Sequence, residues 1–133
     1  FGTIAIRRGE SDREAVRVMR EIVHRGDALG MFPEGTRQER EPGPVMPGAA
    51  MIAVQEGAPV VCGAIHGSQD WRLGNFHPVS VAFGEPLNVT HHPRNSKGYR
   101  AAAVDIQQEL RKLWEFLVTT HAQGRPRNAV PPA

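Results

Sequence analysis

A carboxylate, a hydroxyl and a guanidinium fall within four consecutive positions of this chain. They belong to the hexamer Phe32–Arg37, which reads Phe-Pro-Glu-Gly-Thr-Arg. Arg37 carries five donors in a planar fork that suits phosphate or carboxylate. The apolar run before the hexamer, Ala28–Phe32, predicts a strand that stops at Pro33, because proline cannot donate to a sheet ladder. Ligands of open α/β sheets bind where strands end, so the hexamer predicts an anion site.

A second arginine, Arg8, closes a strand predicted for Phe1–Arg7. If the two strands are parallel neighbours, the guanidinium groups of Arg8 and Arg37 lie at the same edge of the sheet. One charge-assisted hydrogen bond contributes about 1.5–3 kcal/mol net, so two arginines on one phosphate would select a phosphorylated substrate. The alternative is that both arginines are solvated surface residues.

The other residues of the hexamer have roles that the sequence leaves open. Glu34 either orients Arg37 or another substrate-contacting donor, or it caps a backbone turn. Thr36 satisfies the turn through its hydroxyl. Gly35 supplies backbone angles that other residues avoid.

The elements around this site predict an α/β fold: a mixed, partly parallel sheet flanked by helices in three layers. A capping box of Ser11 and Glu14 starts the first helix, which ends at Gly26. Apolar periodicity and turn residues then predict two more helices and three strands. These are a strand at 28–32, a helix at 48–56 opened by Pro47, strands at 58–65 and 77–83, and a helix at about 97–121. The domain is predicted over residues 1–122, with a disordered tail at 123–133.

Composition narrows the classes of function. The chain has 133 residues, a net charge of +2 and a single cysteine, Cys62, which excludes an internal disulfide. Its longest apolar run, Ala58–Ile65, is too short to span a bilayer. No phosphate-loop or nucleophile-elbow motif is present, and nucleic-acid binding has little support. His91 and His92 have no third ligand at metal spacing, so neither a metal nor a cofactor is expected.

The hexamer resembles the third sequence block of the glycerolipid acyltransferases, the family that includes 1-acylglycerol-3-phosphate acyltransferase. Residues 2–8 fit the family's second block, Gly-x-Ile-x-x-x-Arg, which places Arg8 at its acceptor-binding arginine. Ala58–Val61 resembles the start of the fourth block, although Cys62 stands where a second proline is usual. Residues 83–87 resemble the family's closing strand and turn.

This resemblance implies transfer of a fatty acyl group from acyl-CoA or acyl carrier protein to lysophosphatidic acid or a similar glycerol phosphate acceptor, at a membrane surface. It implies that Arg8, Glu34, Gly35, Thr36 and Arg37 form the phosphate-binding site. The family's general base lies in a first block, His-x-x-x-x-Asp, which this sequence does not contain. We therefore expect that block upstream, in a chain truncated at its N-terminus and inactive by itself. No catalytic residue is assigned here.

Two alternatives stay open at this point. The chain could be a non-catalytic phospholipid- or anion-binding module, or an inactive paralogue. It could also be an acyltransferase of the same fold with another acceptor, such as an ornithine lipid precursor or a polyol. The expected location is the cytoplasmic face of the membrane, either peripheral or anchored by a preceding segment.

Overall fold

The structure is a computed structural model that describes residues 2–4, 12–36, 38, 41–126 and 128–132. The described residues form three helices and a two-stranded sheet, which confirms a mixed α/β fold. In chain order the elements are α1 (Arg13–His24), α2 (Pro47–Glu56), β1 (Gly63–His66), β2 (Ser80–Phe83) and α3 (Ser96–Ala122).

The two strands pair antiparallel, so parallel pairing is not seen among the described residues. Ala64 faces Ala82 in this pairing, and both side chains are buried on the face that α3 covers. The opposite face carries Ile65 and Val81, which are about half exposed. The continuous apolar run at 58–65 is typical of a strand covered on both faces, but α3 packs against only one side of β1.

Both strands are also shorter than predicted. The strand expected over 58–65 begins at Gly63, and a single bridge between Val60 and Leu87 continues the pairing before it. The strand expected over 77–83 begins at Ser80.

Helix α3 supplies much of the main core. Its N-cap is Asn95, whose side chain accepts a hydrogen bond from the backbone N–H of Gly98 at 2.9 Å. The predicted helix at about 97–121 is confirmed to within one residue at each end. The apolar stripe recurs every three or four residues and is buried against α2 and the sheet. Its members are Ala103, Ile106, Leu110, Leu113 and Leu117.

Helix α1 begins with a different cap from the predicted one. Asp12 is the N-cap, and its carboxylate accepts from the backbone N–H of Ala15 at 3.0 Å. Ser11 lies outside the described residues. Glu14 pairs with the Arg17 side chain one turn along the helix. With Asp12 as the N-cap, position N3 is Ala15, whose side chain cannot complete a capping box.

Of the two strands predicted before α2, only the one at residues 28–32 lies wholly within the described residues. The structure gives no strand at residues 28–32, because no described strand pairs with this segment. Residues 2–4 are likewise outside any strand, and positions 1 and 5–7 of the first predicted strand lie outside the described residues. A membrane crossing needs a long apolar helix, and none of the described helices combines the required length and hydropathy.

Helices α1 and α2 are joined by an ion pair at the carboxylate of Glu56. Arg20 donates to this carboxylate, and His24 Nδ1 lies 3.3 Å from it. The Glu56 side chain is only 8% exposed. The hydrogen bond from Arg20 lowers the pKa of Glu56 below its ordinary value of 4.5. The contact therefore contributes stability above that ordinary value, and the contribution is lost as the pH falls through the lower folded-state pKa.

We accordingly expect Glu56→Gln to lower the free energy of unfolding by about 1–2 kcal/mol at neutral pH. The difference from wild type should be smaller at about pH 3 than at neutral pH, because the carboxyl group is increasingly protonated as the pH falls below 4.5 toward the lowered folded-state pKa. Urea denaturation at the two pH values measures it. Glu14→Gln is the matched control, because Glu14 forms a fully exposed ion pair with Arg17 and should change stability much less than Glu56→Gln does. Equal losses at both pH values would contradict this account of Glu56.

Candidate functional site

Residues 32–35 of the hexamer form a tight turn. The backbone N–H of Gly35 donates to the carbonyl of Phe32 at 3.2 Å, with Pro33 and Glu34 at the two central positions. Gly35 has a φ of +71°, a left-handed conformation that costs a residue with a Cβ roughly 1–2 kcal/mol. The glycine is therefore required by the backbone, as predicted from the sequence.

Glu34 holds the loop that follows the turn. Its Oε2 accepts from the backbone N–H of Gly43 at 3.1 Å. The carbonyl of Pro33 accepts from the backbone N–H of Met46 at 2.8 Å, and the neighbouring Val45 is buried in the main core. Of the two roles that the sequence left open for Glu34, the structure supports the binding of backbone around the turn.

Thr36 lies at the exposed end of the turn. Its hydroxyl accepts from the side-chain amide of Gln38 at 3.2 Å. That amide lies against Gly43, where an added Cβ would be 2.6 Å from it. Phe32, at the other end of the turn, is 90% exposed. The turn thus presents an exposed aromatic ring, a hydroxyl and a carboxylate that already has a backbone partner.

Arg8 and Arg37 lie outside the described residues. The convergence of their guanidinium groups on one anion therefore stays a prediction. The structure brings together Glu34, Gly35 and Thr36, and it shows that they belong to one hydrogen-bonded turn.

An apolar cleft of about 620 Å³ begins beside the turn. Pro33 belongs to both the turn and the cleft lining. One wall is the segment 26–31 and the other is the segment 57–63, with residues of α2 and α3 between them. Its volume lies in the range of small-molecule sites. The segment that was predicted to be a strand at 28–32 therefore forms a cleft wall.

Cys62 lines this cleft but is not an activated nucleophile. The residue is 3% exposed, and burial raises the pKa of its thiol to about 11. The thiol is protonated at neutral pH, and only a thiolate attacks a thioester effectively. Transfer through an acylated Cys62 is therefore disfavoured.

A family model described as Acyltransferase matches residues 1–66. The chain belongs to the acyltransferase family. The match spans about half of this acyltransferase and contains both segments predicted to form the acceptor site, residues 2–8 and 32–37. It ends at His66, the last residue of β1. No curated protein and no solved structure matches the chain.

The histidines of the matched segment are not arranged as a substitute for the family's base. The ring of His66 packs edge-on against His121, with the centroids 4.8 Å apart, and against Trp114. His24 faces Glu56 on the outside of α1. Both histidines of the matched segment, His24 and His66, therefore have side-chain partners outside the turn at Gly35.

Sequence reasoning missed one cluster of chemically active side chains. Asp105 of α3 lies beside the histidine pair 91–92. The carboxylate is 13 positions beyond His92, and no local spacing rule connects a loop with the first half of a long helix. Only the packing of this acyltransferase brings the three side chains together.

Two substitutions distinguish the role of Glu34 as a hydrogen-bond acceptor from the role of its negative charge. Glu34→Gln keeps an oxygen that can accept from the Gly43 amide, so we expect the loop and most of the activity to survive. Glu34→Ala removes the acceptor, and we expect exchange protection of the Gly43 amide to be lost and activity to fall about tenfold or more. Hydrogen exchange and an acyl-transfer assay on both variants measure this. A glutamine variant as damaged as the alanine variant would show that the charge itself is needed.

Proposed function

We propose that this acyltransferase moves a fatty acyl group from a carrier thioester, acyl-CoA or acyl carrier protein, to the free hydroxyl of a lysophosphatidic-acid-like acceptor. Arg8 and Arg37 hold the acceptor phosphate. Glu34 supports them by stabilising the turn that precedes Arg37 in the sequence. The observation that carries the proposal is the family match over the two arginine-containing segments, together with the ordered turn at Gly35.

The reaction transfers the acyl group from the sulfur of the thioester to the oxygen of the acceptor hydroxyl. The acceptor hydroxyl attacks the thioester carbonyl and loses its proton to a general base. A carbon–oxygen ester bond forms, the carbon–sulfur bond breaks, and the carrier leaves as the thiol after taking up a proton. The proposal assigns the base to the family's His-x-x-x-x-Asp block, which residues 1–133 do not contain.

The cleft beside Pro33 fits the acyl chain in this proposal. Most of its lining is apolar, with Leu29, Met31 and Ile52 among the side chains that face it. An acyl chain there would have its thioester end near the turn, where the acceptor phosphate is bound. This arrangement supports a lipid substrate over a small polar one.

The location follows from the substrates and belongs to the same proposal. A lysophospholipid acceptor resides in a bilayer, so we propose that the protein works at the cytoplasmic face of the membrane. It would meet either acyl-CoA or acyl carrier protein there as a soluble donor.

The test is an acyl-transfer assay on the protein expressed from its complete reading frame. Lysophosphatidic acid and its dephosphorylated counterpart, a monoacylglycerol, are compared as acceptors with the same acyl thioester. We expect the phosphorylated acceptor to be preferred in kcat/KM by about tenfold or more. Equal use of both acceptors would overturn the assigned acceptor while leaving acyl transfer in place. Tight binding of lysophosphatidate with no transfer would instead identify a non-catalytic anion-binding module.

A further inference from the structure

The loop between β2 and α3 brings two imidazoles to a carboxylate on α3. His92 Nε2 lies 2.6 Å from Asp105 Oδ2, and His91 Nε2 lies 3.8 Å from the same oxygen. The two imidazole rings are neighbours, with centroids 4.0 Å apart and planes inclined at 39°. One ligand atom from each of the three side chains falls within 4.8 Å of the others.

The backbone that carries the histidines is held on both sides. Val89 is fully buried, and its carbonyl accepts from the backbone N–H of His92 at 3.2 Å. On the N-terminal side of the histidines, the side chain of Asn88 accepts from both the backbone N–H and the hydroxyl of Thr90, at 2.9 and 2.7 Å. On the C-terminal side of the histidines, the backbone N–H of Asn95 donates to the carbonyl of Pro93 at 2.8 Å. The imidazoles are therefore presented by an ordered turn.

The third group is carried by a rigid platform. Asp105 lies in the first half of the 27-residue helix α3, and its side chain is 34% exposed. The His92 side chain is 15% exposed, whereas that of His91 is 64% exposed. The cluster is thus closed on the protein side and open to solvent on the other.

We propose that His91, His92 and Asp105 form a binding site for a borderline divalent metal ion, of which zinc is the best fit. Two imidazoles and one carboxylate match the ligands of three-residue zinc sites, in which a water molecule fills a fourth position. Magnesium and calcium are disfavoured because they prefer oxygen ligands throughout.

The distances are those of a site that needs only side-chain adjustment. Zinc bonds of 2.0–2.2 Å in a tetrahedron place ligand atoms about 3.4 Å apart. The two contacts to Asp105 Oδ2, at 2.6 and 3.8 Å, bracket that value. A cation bound between the two side chains would replace the 2.6 Å hydrogen bond that joins His92 Nε2 and Asp105 Oδ2.

The site lies beyond the segment that matches the acyltransferase family, and the proposal does not depend on the acceptor chemistry. A bound metal would fix the loop before α3 to the helix itself. The consequence would be greater stability of this packing in the presence of the ion.

The test is calorimetric titration of the untagged protein with zinc chloride, compared among five proteins. Wild type should bind one zinc ion with a roughly micromolar dissociation constant. This affinity is weaker than that of structural zinc sites with four protein ligands. His91→Asn and Asp105→Asn should each weaken binding by at least about tenfold, since even second-shell partners contribute this much. His77→Asn and Asp70→Asn are the matched controls, because both residues are exposed and lie outside the cluster.

Thermal unfolding with and without zinc provides a second readout. Zinc should raise the Tm of wild type and of both controls, and it should leave that of Asp105→Asn unchanged. His91→Asn keeps the proposal testable if Asp105→Asn folds poorly, because the His91 side chain is largely exposed. Zinc affinity that is equal in wild type, His91→Asn and Asp105→Asn would overturn the site, as would a Tm that zinc raises equally in all three.

Discussion

Replacing Gly98 by alanine should destabilise the protein, although the same change in an open helix normally stabilises it. A Cβ at Gly98 would lie 1.9 Å from the carbonyl oxygen of Pro93, which is backbone and cannot move aside alone. The gain in helix propensity is about 1 kcal/mol. Forcing the first turn of α3 away from the loop costs about 1–3 kcal/mol for overpacking and about 1 kcal/mol for the disrupted Asn95 cap. We expect a net loss of about 2 kcal/mol, or roughly 6–10 °C in Tm.

The matched control is Gly48→Ala in α2. No atom lies within 4 Å of a Cβ added at Gly48, so helix propensity alone applies. This variant should be unchanged or more stable by up to about 1 kcal/mol. Urea denaturation of both variants beside wild type measures the difference. A Gly98→Ala variant as stable as Gly48→Ala would contradict the close packing of α3 against Pro93.

Arg37→Ala should produce the largest loss of activity under the proposed function. Removing a guanidinium from a bound phosphate loses about 1.5–3 kcal/mol of binding, which corresponds to about a 10- to 150-fold fall in kcat/KM for lysophosphatidate. Arg37→Lys keeps the charge but not the two-donor fork, so an intermediate loss is expected. Steady-state kinetics over a range of acceptor concentrations separates an effect on KM from one on kcat.

The control for this variant is Arg111→Ala. Arg111 lies on the exposed side of α3. Its replacement by alanine removes the same charge from the protein as Arg37→Ala does. Its kcat/KM should remain within about twofold of wild type. A similar loss in the Arg111 variant would attribute the effect to net charge rather than to a phosphate site.

The sequence predicted the helices well because their signals are local. The Pro47 start, the left-handed Gly57 end and the apolar stripe of α3 are each contained within a few turns of one element, and the structure has all of them. The N-cap of α1 is Asp12, one position beyond the predicted Ser11. Serine and aspartate are both good N-caps, so the local pattern cannot show which of two neighbouring residues is used.

The strands were predicted less well because strand formation depends on a distant partner. Residues 28–32 have the composition of a strand, but no described strand pairs with them, and they form a wall of the cleft instead. The segment 58–65 is apolar throughout, yet α3 covers only one face of β1, so Ile65 is about half exposed. Val61, which precedes the strand, is exposed as well. Composition alone cannot show whether one or both faces of a strand are covered.

The candidate site shows the same difference between local features, which could be predicted, and contacts between distant residues, which could not. The turn at Gly35 could be predicted, since proline and glycine fix it locally. The backbone partner of Glu34 could not, because Gly43 lies nine positions away across a loop. The contact of His92 with Asp105 was missed for the same reason. Interactions between elements require the packed structure.

The central claim is that Arg8 and Arg37 bind one phosphate, and its most direct measurement compares acceptors in four proteins. For wild type, Arg8→Ala, Arg37→Ala and the double variant, kcat/KM is determined with lysophosphatidate and with monoacylglycerol. We predict that each single substitution lowers the preference for the phosphorylated acceptor by about tenfold or more while leaving the monoacylglycerol reaction nearly unchanged. A preference that stays the same in all four proteins would contradict the claim.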